Sequence, residues 1–271
     1  MDSGKAAFGQ VQQVILCADD FGMSEAVDNG ILKLAEGGKL HATSCLVLGP
    51  TFARHAGRLQ QTPLQCGVHL NFTEAFGPTG IALPLRRLIL TCWARQLPAA
   101  KVHREMVRQL DTFESVMGRM PDYIDGHQHI HQFPVIRDAL LDELMRRYPS
   151  GRRPWLRSTL PPKLSVLPAA TRIKAAVIAA LGGRHMVRRA HQRGFVTNRC
   201  FLGVYDFSGG ATVYAGLLRQ WLQAAQPGDL LMCHPAEGVD PHDPLGAQRH
   251  AEFTVINGMA FGAEQHNRAA L

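Results

Sequence analysis

Residues that can bind a metal or move a proton follow four short apolar runs in this 271-residue sequence. Two adjacent carboxylates, Asp19 and Asp20, end the first run, and His69 ends a later one. Neighbouring side chains on a strand point in opposite directions, so one carboxylate could ligate a metal while the other handles a proton. An acidic pair is also common at a helix N-terminus, where the macrodipole favours negative charge. A lone histidine in such a place is more often simply a hydrogen-bonded polar residue.

The densest cluster is the heptapeptide DGHQHIH at positions 125–131. On an extended strand alternate residues share a face, so we expect Asp125, His127, His129 and His131 to project together. Neutral imidazole is a common metal ligand, and a carboxylate can orient an imidazole from behind. A histidine-rich surface turn is the alternative interpretation.

The last of the four runs ends at His234, a candidate general acid if it faces the same crevice and otherwise an ordinary loop histidine. Polar residues at the ends of four apolar runs together suggest one Asp and two His around a metal, with positions left for water and substrate. A metal in such a site brings the pKa of its bound water close to neutral and polarises a carbonyl group. This chemistry is that of a metal-dependent hydrolase.

Short apolar runs alternate with helical patterns along the chain, which predicts a parallel sheet covered by helices. The predicted strands are 14–18, 43–48, 64–70, 123–127, 155–157, 196–202 and 229–234. About seven strand–helix units favour an α/β fold, specifically a distorted or incomplete TIM-like barrel. In such barrels the chemistry lies at the C-terminal ends of the strands, where the polar clusters fall here.

The chain 1–271 is expected to form a single domain. Residues 72–100 look irregular and residues 150–195 are rich in arginine, so both are predicted lid or insertion segments. Helical spacing predicts helices after Ser24, from Pro50, and over 102–117, 135–147, 167–193 and 214–222. We expect the helix at 167–193 to break at Gly182–Gly183.

The bulk composition narrows the class of protein. The net charge is +7, but no aromatic residues interleave with the arginines, so a solvated or partner-facing surface is favoured over an anionic ligand, and nucleic acid is not expected. The six cysteines form no CxxC pair, which is typical of buried free thiols. With neither a signal peptide nor a membrane-spanning segment in the pattern, we expect a cytoplasmic protein, and a homo-oligomer is possible.

Four motifs together resemble a known family. They are CADDFG (17–22), GVHLNFT (67–73), IDGHQHIH (124–131) and CHPA (233–236). Their order and spacing are similar to those of YdjC-like carbohydrate deacetylases, which include chitooligosaccharide deacetylases and hopanoid-biosynthesis-associated members. The resemblance spans residues 14 to about 256. It implies a distorted TIM-like barrel that removes an acetyl group from an N-acetylated sugar or oligosaccharide.

The resemblance also implies roles for individual residues. Asp20, His69 and His127 would bind one divalent metal ion, Asp19 would take a proton from the attacking water, and His234 would protonate the departing amine. An Asp and two His suit Zn²⁺, whereas one carboxylate with several waters could hold Mg²⁺, Mn²⁺ or Co²⁺.

Other matching positions are expected to support the ligands or contact the substrate: Asp125, His129, His131 and Arg249, the last followed by Glu252 in a late Arg-x-x-Glu pattern. Cys17 stands where the family usually has Asn. Two alternatives remain open: hydrolysis of another amide or ester at the same metal site, and a non-catalytic sugar-binding barrel.

Overall fold

The structure is a computed structural model that describes residues 14–77, 80–163 and 167–259. Within these ranges seven parallel strands form one sheet in the order β5-β4-β3-β2-β1-β7-β6. The strands are β1 (Ile15–Phe21), β2 (Ala42–Cys45), β3 (Gln65–Leu70), β4 (Tyr123–Gly126), β5 (Trp155–Leu156), β6 (Phe201–Leu202) and β7 (Leu230–Cys233).

Helices found in the same ranges connect and cover these strands. They are α1 (Glu25–Glu36), α2 (Phe52–Leu59), α3 (Leu85–Trp93), α4 (Ala99–Met117), α5 (Ile136–Arg147), α6 (Ala169–Ile178), α7 (Arg184–Gln192), α8 (Gly210–Ala224) and α9 (Gly246–Gly258). Ser24 caps α1 as expected, because its hydroxyl accepts the Val27 N–H at 3.4 Å.

The sheet curls until its two edges approach each other, and the contacts between them lie at or beside β5 and β6. Leu156 of β5 forms an isolated parallel bridge with Thr197, and the Phe201 N–H donates to the Leu160 carbonyl at 2.8 Å. Few bonds join the two edges, because β5 and β6 contain only two residues each. The predicted incomplete TIM-like barrel of about seven parallel strands is therefore confirmed.

Alternation along β1 shows how the barrel is filled. Ile15 and Cys17 point into the interior, where they join a buried cluster with Tyr123 and Trp155, whose rings stack 4.2 Å apart. Leu16, by contrast, packs in the larger cluster beneath the helices. Both faces of the strand are buried, which explains its continuous apolar sequence.

Two segment predictions needed correction. The stretch 72–100 is not wholly irregular, because α3 begins after Pro84 and buries Leu88 and Cys92, one turn apart. The sixth strand is shorter than predicted, since only Phe201–Leu202 of the run 196–202 pairs with β7.

The predicted break between α6 and α7 is confirmed. A π-type turn at Ala179–Gly183 joins the two helices, and Gly182 has a φ of 132°. A side chain at Gly182 would approach the Gln132 carbonyl oxygen to 2.3 Å, so only glycine fits there.

All six cysteines are free, and all except the half-buried Cys200 are buried, as the sequence predicts. Over the described ranges the structure contains no helix with the length and apolarity needed to cross a membrane.

Candidate functional site

A cavity of about 670 Å³ opens at the C-terminal ends of the strands. Seven of the residues predicted for the site line it, and six of these are Asp19, Asp20, His69, His127, His234 and Arg249. The seventh is His129, whereas Asp125 and His131 lie behind the lining. Parallel strands place these residues together because their carboxyl ends share one edge of the sheet.

The acidic pair lies at an irregular point of β1. Its register with β2 shifts between Ala18 and Phe21, and Asp20 has a φ of 74°. The strict alternation expected of a regular strand is thus broken, and both carboxylates line the cavity. The Gly22 N–H that follows donates to the buried Asp28 carboxylate at 2.6 Å, which holds the turn in place.

Three side chains converge as a candidate metal-binding group: Asp20, His69 and His127, all buried. Asp20 Oδ1 lies 2.9 Å from His127 Nδ1 and 3.4 Å from His69 Nε2. Ligand atoms about 2.1 Å from a shared ion are separated by roughly 3.0–3.4 Å, so these distances fit a common cation. One carboxylate and two imidazoles are also donors that divalent transition metals accept.

Asp125 orients His69 from behind. Its Oδ1 lies 2.6 Å from His69 Nδ1, which leaves Nε2 directed towards Asp20. Burial lowers the pKa of His69, but the Asp125 and Asp19 carboxylates outweigh burial and raise it to about 10. A carboxylate behind a ligating histidine fixes its tautomer and increases its basicity.

A second group, Asp19, His69 and Asp125, also has ligand atoms close together. Arg157 lies against both of its carboxylates, 2.6 Å from Asp19 Oδ2 and 2.6 Å from Asp125 Oδ2. A guanidinium that pairs with both carboxylates opposes binding of another cation, whereas Arg249 pairs only with Oδ2 of Asp20 and leaves Oδ1 facing the two imidazoles. We therefore assign the candidate metal site to Asp20, His69 and His127.

Residues 13–264 match the family model described as YdjC-like protein. This chain belongs to the YdjC-like family. It is 32% identical over 131 residues to the chitooligosaccharide deacetylases of Salmonella schwarzengrund (strain CVM19633) and Salmonella paratyphi B (strain ATCC BAA-1250 / SPB7). These alignments cover 45% of this chain and 52% of each relative, so the chain spans about half the length of the curated relatives it matches.

A solved structure has the same fold. It comes from Enterococcus faecalis V583, is described as a cellobiose-phosphate cleavage protein, and superimposes with a TM-score of 0.66 over 95% of both chains. The two sequences are 20% identical, so this likeness supports the fold alone.

The histidine run of this YdjC-like chain does not continue β4, contrary to the sequence prediction. The strand ends at Gly126, and residues 127–132 form a short helical turn in which Gln128 and His129 have φ values of 54° and 61°. The histidines therefore diverge. His131 turns away from the cavity, with Nε2 3.0 Å from the Arg157 carbonyl oxygen, and the His129 ring packs edge-on against Phe201.

Arg157 was not singled out by sequence reasoning, which treated the arginines of 150–195 as a group. Its side chain is fully buried and makes two hydrogen bonds to Asp19, of 2.6 and 2.7 Å. Burial raises the pKa of Asp19, but the Arg157 guanidinium outweighs it and holds that pKa below its usual range. The signal available in the sequence was its position, since Arg157 is the last residue of the predicted strand 155–157 and the other site residues also lie at strand ends.

Helix α9 brings two charged residues to the site, and no sequence prediction included it as a helix. Arg249 donates to Asp20 Oδ2 at 2.7 Å. One turn later Glu252 accepts the His234 backbone N–H at 2.6 Å and the Tyr205 hydroxyl at 2.5 Å. The sequence signal for this helix was the late Arg-x-x-Glu pattern, because residues three apart share a helix face.

His234 lies at the end of β7 with its Nδ1 buried and without a hydrogen-bond partner among the described residues. Burial lowers its pKa to about 4 despite the nearby carboxylates of Asp20 and Asp19. The His234 imidazole is therefore neutral near pH 7.

The two segments predicted as lids or insertions both contribute to the cavity wall. Glu74, from 72–100, lies with Oε1 3.6 Å from His127 Nε2. Lys174, Ile178 and Leu181 come from 150–195. Both segments therefore contribute side chains to the cavity that holds the candidate metal-binding group.

Proposed function

We propose that this protein is a metal-dependent hydrolase that removes the acetyl group from an N-acetylated sugar or oligosaccharide. The observation that carries the proposal is the convergence of Asp20, His69 and His127 in one cavity, with Asp19 and His234 beside them. Membership of the YdjC-like family and the names of the Salmonella relatives support the substrate class.

Asp20, His69 and His127 would hold the divalent ion. When bound, such an ion acidifies water and polarises the amide carbonyl group. The two nitrogen donors favour Zn²⁺, because Mg²⁺ prefers oxygen ligands. Arg249 and Asp125 keep Asp20 and His69 in position through the hydrogen bonds described above.

Asp19 is the proposed base that takes a proton from the attacking water. Its Oδ2 lies 4.0 Å from His69 Nε2, so a water beside the candidate ligands is within its reach. The paired Arg157 fixes the carboxylate and keeps it ionised, the form a base requires. The same ion pair makes Asp19 a weak base, so Asp19 would take a proton only from a water whose pKa a bound ion has already lowered.

His234 is the proposed proton donor to the departing amine. Because the ring is neutral, it must first take up a proton: in this scheme it receives the proton that Asp19 removes from water and passes it to the nitrogen, which becomes basic once the acyl carbon is tetrahedral. Negative charge that develops beside a buried imidazole raises its pKa, so His234 becomes a better proton carrier as the amide is attacked. Glu252 holds the backbone of His234 and thereby the position of the ring.

The proposal is tested by following amine release from a panel of N-acetylated sugars: the monosaccharides N-acetylglucosamine, N-acetylgalactosamine and N-acetylmannosamine, and the dimer chitobiose in N-acetylated form. The protein is stripped with chelator and reloaded separately with Zn²⁺, Mg²⁺, Mn²⁺ or Co²⁺. We expect turnover that is lost on stripping and restored by reloading. Equal turnover before and after stripping would rule out a metal requirement, and no amine release with any metal would refute the substrate class.

A further inference from the structure

Left-handed backbone is concentrated at the cavity. Of the six described non-glycine residues with positive φ, four line it: Asp20, Gln128, His129 and Phe207. Such strain tends to persist at functional sites, where the surrounding structure holds it. The first three belong to the candidate metal-binding turns. Phe207, with a φ of 58°, has no part in that group, and a bulky aromatic residue in this conformation is an outlier that needs its own explanation.

The Phe207 ring is held beside His234. The two rings meet edge to face, with centroids 5.0 Å apart and planes 82° apart. Lys174 Nζ lies over the Phe207 ring, 5.0 Å from its centroid, and the Tyr205 ring centroid is 4.7 Å away. Lys174 therefore covers one face of the ring, and the neighbouring His234 and Tyr205 rings hold it in place.

Phe207 completes an apolar recess, which we define by Ile178, Val204, Phe207 and Met232. All four line the cavity, and all four pack in the cluster that fills the barrel interior. Val204 and Met232 are its most buried members, with 4% and 3% of their surface exposed. Gly203, with a φ of 92°, lets the chain pass close to the Met232 carbonyl, where a Cβ would approach to 2.1 Å.

The chemistry of the recess selects which part of a substrate it can accept. Sugar hydroxyls placed there would lose their hydrogen bonds to water without gaining partners, whereas an alkyl group loses nothing. His234, which contacts Phe207, is the proposed donor to the amide nitrogen. The acyl carbon is bonded directly to that nitrogen, so its alkyl substituent lies one bond further away.

We infer that this recess binds the alkyl part of the substrate's acyl group and that Phe207 limits the acyl length accepted. The inference rests on the proposed function, because it assumes that His234 faces the scissile amide. It makes Phe207 a specificity-determining residue rather than a catalytic one.

The test compares N-acetyl, N-propionyl and N-butyryl forms of the sugar that the panel above identifies. The kcat/KM for amine release is measured for the unmodified protein, Phe207→Ala and Phe207→Gly, each loaded with the same metal. We expect the butyryl-to-acetyl ratio to rise about tenfold or more in both variants, because methylene groups in an apolar pocket change discrimination by about that much. Phe207→Gly also relieves the positive φ, so it tests the recess if Phe207→Ala folds poorly.

Phe76→Ala is the matched control, since Phe76 is the same residue type and lines the cavity from the 72–100 segment. Its acyl ratio should stay within about twofold of the unmodified protein. An unchanged ratio in both Phe207 variants, or an equal shift in Phe76→Ala, would overturn the recess while leaving the deacetylase proposal intact. No amine release by the unmodified protein from any substrate would refute the proposed function and the recess with it.

Discussion

Replacing Arg157 by Met should destabilise the protein strongly at neutral pH. The Arg157 side chain is fully buried, and its guanidinium lies 2.6 Å from carboxylate oxygens of both Asp19 and Asp125. Methionine can fill part of the space but leaves two buried carboxylates without their cation. Breaking a buried ion pair by removing one partner costs about 3–5 kcal/mol. Against a total stability of about 5–15 kcal/mol for a typical domain, this loss is large.

The size of the loss should depend on pH. In the unmodified protein Arg157 holds the pKa of Asp19 below its usual value, so this stabilisation is present above about pH 4 and lost as the pH falls through the lowered pKa. In Arg157→Met the buried Asp19 carboxyl has lost this cation, so burial raises its pKa. The free energy of unfolding of the variant therefore falls as the pH rises towards the raised pKa. The difference between the two proteins should therefore be larger at pH 8 than at pH 5.

Urea denaturation followed by circular dichroism, in chelator, measures the free energy of unfolding at both pH values. The matched control is Arg119→Met, because Arg119 pairs with the partly exposed Asp122 and such pairs contribute about 0–1 kcal/mol. A loss in Arg157→Met no larger than that of the control at pH 8 would refute the reasoning. An equal loss at pH 5 and pH 8 would show that the carboxylates are not its source.

Three further outcomes are expected. Asp19→Asn should keep its metal by elemental analysis but lose about 100-fold or more in kcat, whereas Asp20→Asn should lose metal first; near-normal kcat in Asp19→Asn would remove its assignment as base. Burial raises the pKa of Glu252 to about 7, so the free energy of unfolding of the unmodified protein should fall by up to about 3 kcal/mol as the pH rises from 4.5 to 7. In urea denaturation, Glu252→Gln should flatten this dependence on pH, and parallel pH dependences in the two proteins would contradict the reasoning. Gly203→Ala should lower the free energy of unfolding by about 2 kcal/mol or more, because its Cβ would lie 2.1 Å from a β7 carbonyl oxygen. The control Gly118→Ala, where the space is open and φ is 65°, should lower it by about 1 kcal/mol, and equal losses would count against the steric argument.

The sequence was sufficient to predict which residues of the candidate site come together, because apolar runs mark where buried strands end. Asp20, His69 and His127 each stand at such an end, and a parallel barrel brings those ends together without further information. Burial on both faces makes this signal strong in β1 and β3. It is weak in β6, where only two residues pair and the predicted strand was too long.

The backbone of the histidine run could not be predicted from its local pattern. Alternating histidines suit an extended strand, but the chain turns at Gly126 and adopts left-handed conformations at Gln128 and His129. Neither residue type demands that conformation. It depends on tertiary contacts, such as the hydrogen bond between His131 and the Arg157 carbonyl, which the sequence does not reveal.

The same limit applies to the two adjacent carboxylates, which are chemically alike in the sequence and were assigned different roles only through the family resemblance. The structure distinguishes them by their partners. Arg157, 138 positions away, pairs with Asp19 through both of its oxygens and also neutralises Asp125. Asp20 meets a single nitrogen of Arg249 through Oδ2, which leaves its Oδ1 to the two imidazoles. This difference in partners supports the proposed roles: Asp20 keeps one oxygen free of arginine for a metal, whereas both oxygens of Asp19 are paired and its carboxylate is held ionised.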